Sequence, residues 1–206
     1  MSKIKYFLEQ SWLLIVAAVV FGALLAMTDA AWGPRIKQNQ AAKFNKLAGG
    51  LLKDAVTFEP VNQEITIPLN GTVYPVDVKK GLDRHGNLVG WAFVCQGNGF
   101  ADIIKLVVAV DAKFDKMEGF GVLSSNETPG FGDKITIPGG FFQKQFMGAP
   151  VTTLHLEKSG NPEVIDSQIV AISGATVSST AVVRILNDFL LPVKKQLIEK
   201  GLLKQD

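Results

Sequence analysis

The hydrophobic and polar positions predict one long helix near each end of the chain. Residues 10–28 carry no charge, and as a helix such a segment spans roughly 28 Å, the thickness of a membrane's hydrocarbon layer. After Thr176, apolar residues recur at the spacing of an amphipathic helix. They are Val177, Ala181, Val182, Ile185, Leu186, Phe189 and Leu190. We expect Pro192 to interrupt this second helix, because proline lacks the amide hydrogen that a helix interior uses.

Between these helices the pattern is typical of strands. Alternating or continuous apolar runs predict strands over residues 64–69, 73–78, 88–94, 103–110, 120–123, 153–157 and 164–172. Other predicted elements are a helix over 34–52, a short helix or exposed turn over 141–146, a turn at Asn70-Gly71 and a flexible turn over 96–100. Strands dominate and helices lie toward the ends. We therefore expect an α+β fold, with a mainly antiparallel sheet and flanking helices.

The first apolar segment predicts a single transmembrane helix. Lys3 and Lys5 precede it, which favours a cytoplasmic N-terminus and a C-terminal domain translocated to the extracytoplasmic side. The alternatives are a buried soluble helix and a cleaved signal peptide, although Thr28-Asp29-Ala30 is a poor cleavage site. The predicted organisation is a cytoplasmic N-terminus (1–9), the transmembrane helix (10–29), a juxtamembrane helix and linker (30–57) and an extracytoplasmic domain (58–206).

Composition argues against several functions. The chain of 206 residues has a formal net charge of +2, so nothing points to nucleic acid. Cys95, the single cysteine, lies in an apolar run and is predicted to be a buried, inert thiol. His85 and His155 have no metal-ligand spacing, so we expect no metal, haem or iron–sulfur site. No nucleophile with an adjacent base is evident, so we expect no catalytic residues and no stand-alone enzyme.

One motif places small residues and hydroxyls between the last strand and the last helix. It reads Ser-Gly-Ala-Thr-Val-Ser-Ser over residues 173–179. Free amide hydrogens and the positive end of the dipole at a helix start favour a phosphate group. Gly174 allows the backbone to approach a ligand closely. The simpler interpretation is that a hydroxyl here only caps the helix.

A second motif is a glycine-rich loop, Asn-Glu-Thr-Pro-Gly-Phe-Gly-Asp-Lys over residues 126–134. Its Pro-Gly pair suits the central positions of a type II turn. Glu127 offers an acceptor, Thr128 a hydroxyl and Phe131 an aromatic face. Such a turn could hold one side of a planar heteroaromatic ligand, although the loop taken alone favours a plain surface turn.

Together, the two motifs resemble those of the FMN-binding domain family. Glu-Thr-Pro-Gly-Phe-Gly-Asp-Lys is followed about forty residues later by Ser-Gly-Ala-Thr-Val-Ser-Ser. Within the family, the chain is similar over nearly its whole length to the G subunits of Rnf-type electron transport complexes. The C subunits of sodium-translocating NADH:quinone reductases share both motifs and are the alternative. Phe131 stands where the family usually has leucine.

The resemblance implies a covalent flavin. In the family, the last residue of Ser-Gly-Ala-Thr, here Thr176, carries FMN through a phosphoester, and a dedicated FAD-dependent flavin transferase attaches it with magnesium. Residues implied on the phosphate side are Ser173, Gly174, Ala175 and Ser178. Residues implied along the isoalloxazine or ribityl arm are Glu127, Thr128, Gly130 and Phe131. Lys158 is implied as a cation near the flavin, or else it is a surface charge.

The function implied is electron relay within a ferredoxin:NAD oxidoreductase complex that moves sodium or protons. The implied partners are the other membrane, iron–sulfur and flavin subunits of the Rnf complex, the transferase and the lipid bilayer. The implied location is a bacterial cytoplasmic membrane, with the C-terminal domain on its periplasmic side. Two alternatives stay open. One is the equivalent subunit of a quinone reductase. The other is a non-redox anchor or assembly module that keeps the fold and binds anions or peptides.

Overall fold

The computed structural model describes residues 3–69 and 71–204 of the chain. The turn predicted at Asn70-Gly71 and the cytoplasmic N-terminus predicted for residues 1–9 therefore lie partly outside the described residues. In chain order the elements are α1 (Lys3–Leu51), β1 (Thr57–Pro60), β2 (Ile65–Leu69), β3 (Thr72–Val76), β4 (Val78–Leu82), β5 (Leu88–Asn98), β6 (Ile103–Asp111), β7 (Met117–Ser124), a 3₁₀ helix (Gly132–Thr136), α2 (Phe141–Lys144), β8 (His155–Glu157), β9 (Gln168–Val170) and α3 (Thr176–Glu199).

Five strands form the main sheet, in the order β1-β4-β5-β6-β7. Every pairing in it is antiparallel. β2 and β3 form a separate antiparallel hairpin, and β8 and β9 form a short parallel pair. This arrangement confirms the predicted α+β fold with a mainly antiparallel sheet and flanking helices.

Contacts divide the chain into two compact units, Met1–Ala42 and Lys43–Asp206. The first unit is the greater part of α1, and large apolar side chains such as Trp12, Phe21 and Trp32 are exposed on it. By length and composition this helix can cross a membrane. Pro34 lies inside α1, so the helix predicted over residues 34–52 is the last part of a longer one.

In the second unit, β5 and β6 are covered on both faces. On one face they join the main core beneath α3, through residues that include Phe93, Cys95, Leu106, Val108 and Val110. On the other face, the alternate residues Ala92, Val107 and Ala109 pack with Phe44, Ala48 and Leu52. Because both faces are covered, β6 reads as a continuous apolar run and not as an alternating one.

Two glycines allow the end of α1 and the residues after it to lie close to the sheet. A Cβ at Gly121 would lie 2.9 Å from Leu47 Cδ2, and one at Gly90 would lie 2.7 Å from Leu52 Cδ2. Residues 43–57, which the sequence analysis assigned to a juxtamembrane segment, therefore belong to the same compact unit as the sheet.

Several strand predictions were wrong in extent. β5 continues to Asn98, β7 already begins at Met117 and β8 begins only at His155. The run 73–78 is broken at Asp77, because β3 pairs with β2 whereas β4 pairs with β1 and β5. In the run 164–172 only β9 is a strand. The Asp166 side chain accepts the amide hydrogen of Gln168 at 2.6 Å, so the preceding segment forms a turn. β1 and β4 were not predicted.

The prediction that Pro192 interrupts the last helix was also wrong. α3 continues through Pro192 to Glu199. The turn after the proline is held by Val193 and Leu197, which are buried in the main core, and this packing outweighs the single missing helix hydrogen bond. The run 141–146 contains the short helix α2, but Phe142 is buried against Phe120 and is not exposed.

Candidate functional site

The turn before α3 is held in one conformation by hydrogen bonds. The Ala175 amide donates to the Ile172 carbonyl at 2.9 Å, and Gly174 between them has φ +79°. The buried Ser179 hydroxyl accepts the Ile172 amide hydrogen at 3.1 Å and donates to the Ala175 carbonyl at 2.9 Å. The first turn of α3 thus fixes the backbone from which Thr176 projects.

α3 begins at Thr176 with an uncapped N-terminus. Its N-cap residue is Ala175, and no side chain makes a capping hydrogen bond. The Thr176 side chain is exposed and has no hydrogen-bond partner among the described residues. The interpretation of its hydroxyl as a helix cap is therefore wrong. A free hydroxyl instead lies beside free amide hydrogens, at the positive end of a helix of 24 residues.

The glycine-rich loop lies directly beside this turn. The Phe131 amide donates to the Thr128 carbonyl at 3.2 Å, and Gly130 has φ +79°, as the predicted type II turn requires. The Phe131 side chain is 57% exposed. Its Cδ1 lies 3.6 Å from the position that a Cβ on Gly174 would occupy. The fold therefore brings together the two motifs that the sequence analysis singled out.

Glu127 is buried at the base of the same loop, and its carboxyl group is fully occupied by protein donors. Oε1 accepts the amide hydrogens of Phe100 at 2.9 Å and of Ala101 at 3.1 Å. Oε2 accepts the hydroxyl hydrogen of Ser178. The prediction of a flexible turn over residues 96–100 was wrong, because residues 96–98 belong to β5 and pair with β6, and the turn that follows is anchored by these bonds.

An open cleft of about 500 Å³ lies between these segments. Its lining consists of Phe100, Thr128, Phe131, Gly132, Gly174, Ala175, Thr176, Val177 and Ser178. Among the predicted site residues, Ser173, Gly130, Glu127 and Lys158 are not part of this lining. Sequence reasoning missed Phe100, Gly132 and Val177. The available signal for Phe100 was its position, as an aromatic residue directly after Gly99 in the predicted turn over residues 96–100.

The cleft lining contains no charged side chain. Nearby, Asp102 accepts the Ile103 amide hydrogen at 2.7 Å, and this bond, with a second from Asn126, holds the pKa of Asp102 below its usual value. Lys158 is exposed after β8.

In the part of the chain that the structure describes, no group of three His, Cys, Asp or Glu residues could hold a metal ion. Cys95 is fully buried, as predicted, and burial raises the pKa of its thiol.

Comparisons with known proteins agree with this geometry. The FMN-binding domain family matches residues 99–191, which include the glycine-rich loop and the start of α3. Two solved structures share the fold. Shewanella oneidensis NqrC has a TM-score of 0.56 and 24% identity over 71% of this chain and 73% of that one. The C subunit of the Na(+)-translocating NADH-quinone reductase from Parabacteroides distasonis has a TM-score of 0.53 and 19% identity over 84% of this chain and 98% of that one.

Similarity in sequence is greater to another group of proteins. The G subunit of the ion-translocating oxidoreductase complex from Methanosarcina acetivorans is 36% identical over 175 residues, which cover 84% of this chain and 87% of that protein. This match extends far beyond the cleft and its two motifs. With both motifs in place on the shared fold, the chain belongs to the family of ion-translocating oxidoreductase complex G subunits.

Proposed function

We propose that this chain is a membrane-anchored flavoprotein subunit that carries FMN, esterified through its phosphate to Thr176 Oγ1, and relays electrons within an ion-translocating oxidoreductase complex. The observation that carries the proposal is the Thr176 hydroxyl. It is exposed, has no partner among the described residues, and projects from an uncapped helix start into a cleft lined by aromatic rings.

The residues of the cleft fit the parts of FMN. The free amide hydrogens and dipole of α3 suit the phosphate. Phe100 and Phe131, 65% and 57% exposed, offer apolar faces to a planar ring. The volume of about 500 Å³ lies in the usual range for a small-molecule site. No negative side chain in the lining opposes the phosphate.

FMN supplies the electron-transfer chemistry when it is bound, and the protein supplies its position and surroundings. Attachment would form a bond between Thr176 Oγ1 and the flavin-side phosphorus of FAD and break its pyrophosphate bond, with AMP leaving and the hydroxyl proton passing to a base of the attaching enzyme. We assign this step to a separate magnesium-dependent transferase. This assignment is supported by the lining of the cleft, which offers no general base to the threonine.

The proposed setting is a single-pass subunit with its flavin domain outside the cytoplasm. The apolar part of α1 and the lysines Lys3 and Lys5 ahead of it support this orientation. The partners would be the other redox subunits of an Rnf-type complex, which couples ferredoxin and NAD to sodium or proton movement. A relative that is 36% identical over 84% of this chain is a G subunit of an ion-translocating oxidoreductase complex and favours this complex, whereas the likeness to quinone reductase subunits is one of fold.

The test is to produce the full-length chain together with the transferase in membranes, denature it, and look for flavin fluorescence on the polypeptide. We expect fluorescence on the wild-type chain and on Thr180→Ala, which removes an exposed hydroxyl one turn further along α3. We expect none on Thr176→Ala. Mass analysis of the peptide that contains Thr176 should show one FMN adduct. Flavin retained by Thr176→Ala, or a bare Thr176 in active complexes, would contradict the proposal.

A further inference from the structure

The carboxyl group of Glu127 joins two walls of the cleft that are distant in sequence. One wall is the turn after β5, whose Phe100 and Ala101 amides both donate to Oε1. The other wall is the first turn of α3, whose Ser178 hydroxyl donates to Oε2. Glu127 itself is only 5% exposed. Both oxygens are therefore engaged by groups of the protein.

Two glycines leave the space that this arrangement needs. A Cβ on Gly99 would overlap Glu127 Oε1, and a Cβ on Gly132 would lie 2.8 Å from Oε2 and 2.5 Å from Ser178 Oγ. No real side chain fits at such distances. The loop and the turn after β5 can close around the carboxyl group only because both positions lack a side chain.

Glu127 is not part of the cleft lining, whereas its partners Phe100 and Ser178 are. Its carboxyl group therefore acts on the cleft through the residues it holds. The Phe100 ring is exposed. Without these bonds the turn that carries it would keep the Gly99 amide to Asp102 carbonyl bond at 2.7 Å and the bonds that Asn126 makes to Asp102 and Arg184 to the Asn98 carbonyl, none of which reaches the Phe100 or Ala101 amide. Glu127 supplies the bonds that reach the Phe100 and Ala101 amides themselves, and its bond to Ser178 links them to the first turn of α3.

We propose that Glu127 is the positioning residue of the flavin site, and this inference rests on the function proposed above. Its carboxyl group fixes the Phe100 turn against the start of α3. The ring system of a flavin tethered at Thr176 is thereby held in one orientation, as an electron carrier with fixed donor and acceptor distances requires. Glu127 contacts the walls of the cleft, and not the flavin.

The experiment compares three variants of the full-length protein. Glu127→Ala removes all three hydrogen bonds. Glu127→Gln keeps the shape, because its amide oxygen still accepts from Phe100 and Ala101 and its amide nitrogen can donate to Ser178 Oγ. Glu163→Gln is the matched control, because it makes the same chemical change at an exposed carboxyl group outside the cleft lining.

Two readouts are measured. The first is hydrogen exchange of the Phe100 and Ala101 amides in a flavin-free background, the chain produced without the transferase. We expect Glu127→Ala to speed it by about tenfold or more, and the two glutamine variants to stay near the background rate. The second is the fluorescence anisotropy of the attached flavin, which should fall in Glu127→Ala while flavin content stays unchanged. Unchanged exchange and anisotropy in Glu127→Ala, or Glu127→Gln behaving like alanine, would overturn the proposal.

If Glu127→Ala does not fold, Ser178→Ala takes its place, because it removes one wall's bond and leaves the carboxyl group intact. Lower flavin anisotropy in Ser178→Ala then supports the proposal, and wild-type anisotropy overturns it. The two proposals fail separately. Flavin retained by Thr176→Ala contradicts the attachment site and leaves the exchange result standing. Flavin on Thr176 with unchanged exchange in Glu127→Ala contradicts only the role of Glu127.

Discussion

The ring of Phe131 lies against the backbone of Gly174, with Cδ1 3.6 Å from the position that a Cβ on that glycine would take. The contact joins the glycine-rich loop to the turn that precedes α3. Gly174 has φ +79°, a conformation that L side chains rarely adopt. The Thr176 hydroxyl follows two residues later, so its position depends on the conformation of this turn.

Gly174→Ala tests that dependence. We expect a loss of about 1–2 kcal/mol in the free energy of unfolding, because alanine is strained at positive φ, together with a lower yield of covalent flavin. Gly86→Ala is a matched control, since Gly86 has φ +79° and open space around it. It should lose similar stability, measured by urea unfolding, and keep full flavin content. Equal flavin content in both variants would contradict the prediction.

Ser179→Ala should destabilise the protein by about 1–3 kcal/mol, because it leaves the buried Ile172 amide without its acceptor. Ser179 is fully buried and also donates to the Ala175 carbonyl. Thr180→Ala is the control, because its exposed hydroxyl bonds only the Thr176 carbonyl and its loss should cost less than about 0.5 kcal/mol. Urea unfolding measures both. Equal losses would mean that the serine does not hold the turn.

Local patterns were enough to predict most of the sheet and both motifs. β5 and β6 are recognisable from their apolar runs, and the Pro-Gly pair fixed the turn before Phe131. β4 was not recognisable, because its Lys79-Lys80 pair and Gly81 interrupt any apolar pattern, and only its pairing with neighbouring strands makes it a strand.

The role of Glu127 could not be predicted from local sequence. Its partners Phe100 and Ser178 lie 27 and 51 residues away, and only the tertiary fold brings them together. From the sequence, Glu127 was predicted to be a cofactor-binding residue, whereas both of its carboxyl oxygens accept hydrogen bonds from the protein. Pro192 illustrates the same limit, since burial of Val193 and Leu197 in the core decides the course of α3 there.

An ion pair between α3 and the turn after β6 should make stability depend on pH. Lys194 Nζ donates to Asp115 Oδ1 at 2.8 Å, and this hydrogen bond and the lysine charge lower the pKa of Asp115. A lowered pKa in the folded state adds stability above the unfolded value of about 3.9, and that stability is lost as the pH falls through the folded value. Asp115→Asn should therefore be less stable than the wild type at neutral pH and equal to it in strong acid.

Thermal unfolding at a series of pH values measures this difference. Asp54→Asn is the control, because Asp54 is exposed and has no partner among the described residues. It should follow the wild type at every pH. If the difference in unfolding temperature between Asp115→Asn and the wild type persists unchanged in acid, the ion pair is not the cause of that difference. The effect should be small, because pairs exposed to solvent are screened.

The last prediction concerns where the folded domain begins. Phe44 is only 3% exposed, contacts the Phe58 ring edge-on with centroids 6.1 Å apart, and lies under Lys79 Nζ at 4.3 Å. Phe44→Ala should lower the free energy of unfolding by about 3–5 kcal/mol, because it leaves a cavity against the sheet. Ile36→Ala, at an exposed position in the other unit, should cost less than about 0.5 kcal/mol. The free energies of unfolding of the two variants are measured by guanidinium unfolding in detergent, with near-ultraviolet circular dichroism as the probe. If Phe44→Ala is as mild as Ile36→Ala, the domain begins after α1, near residue 58. If it is severe, the end of α1 is part of the domain's core.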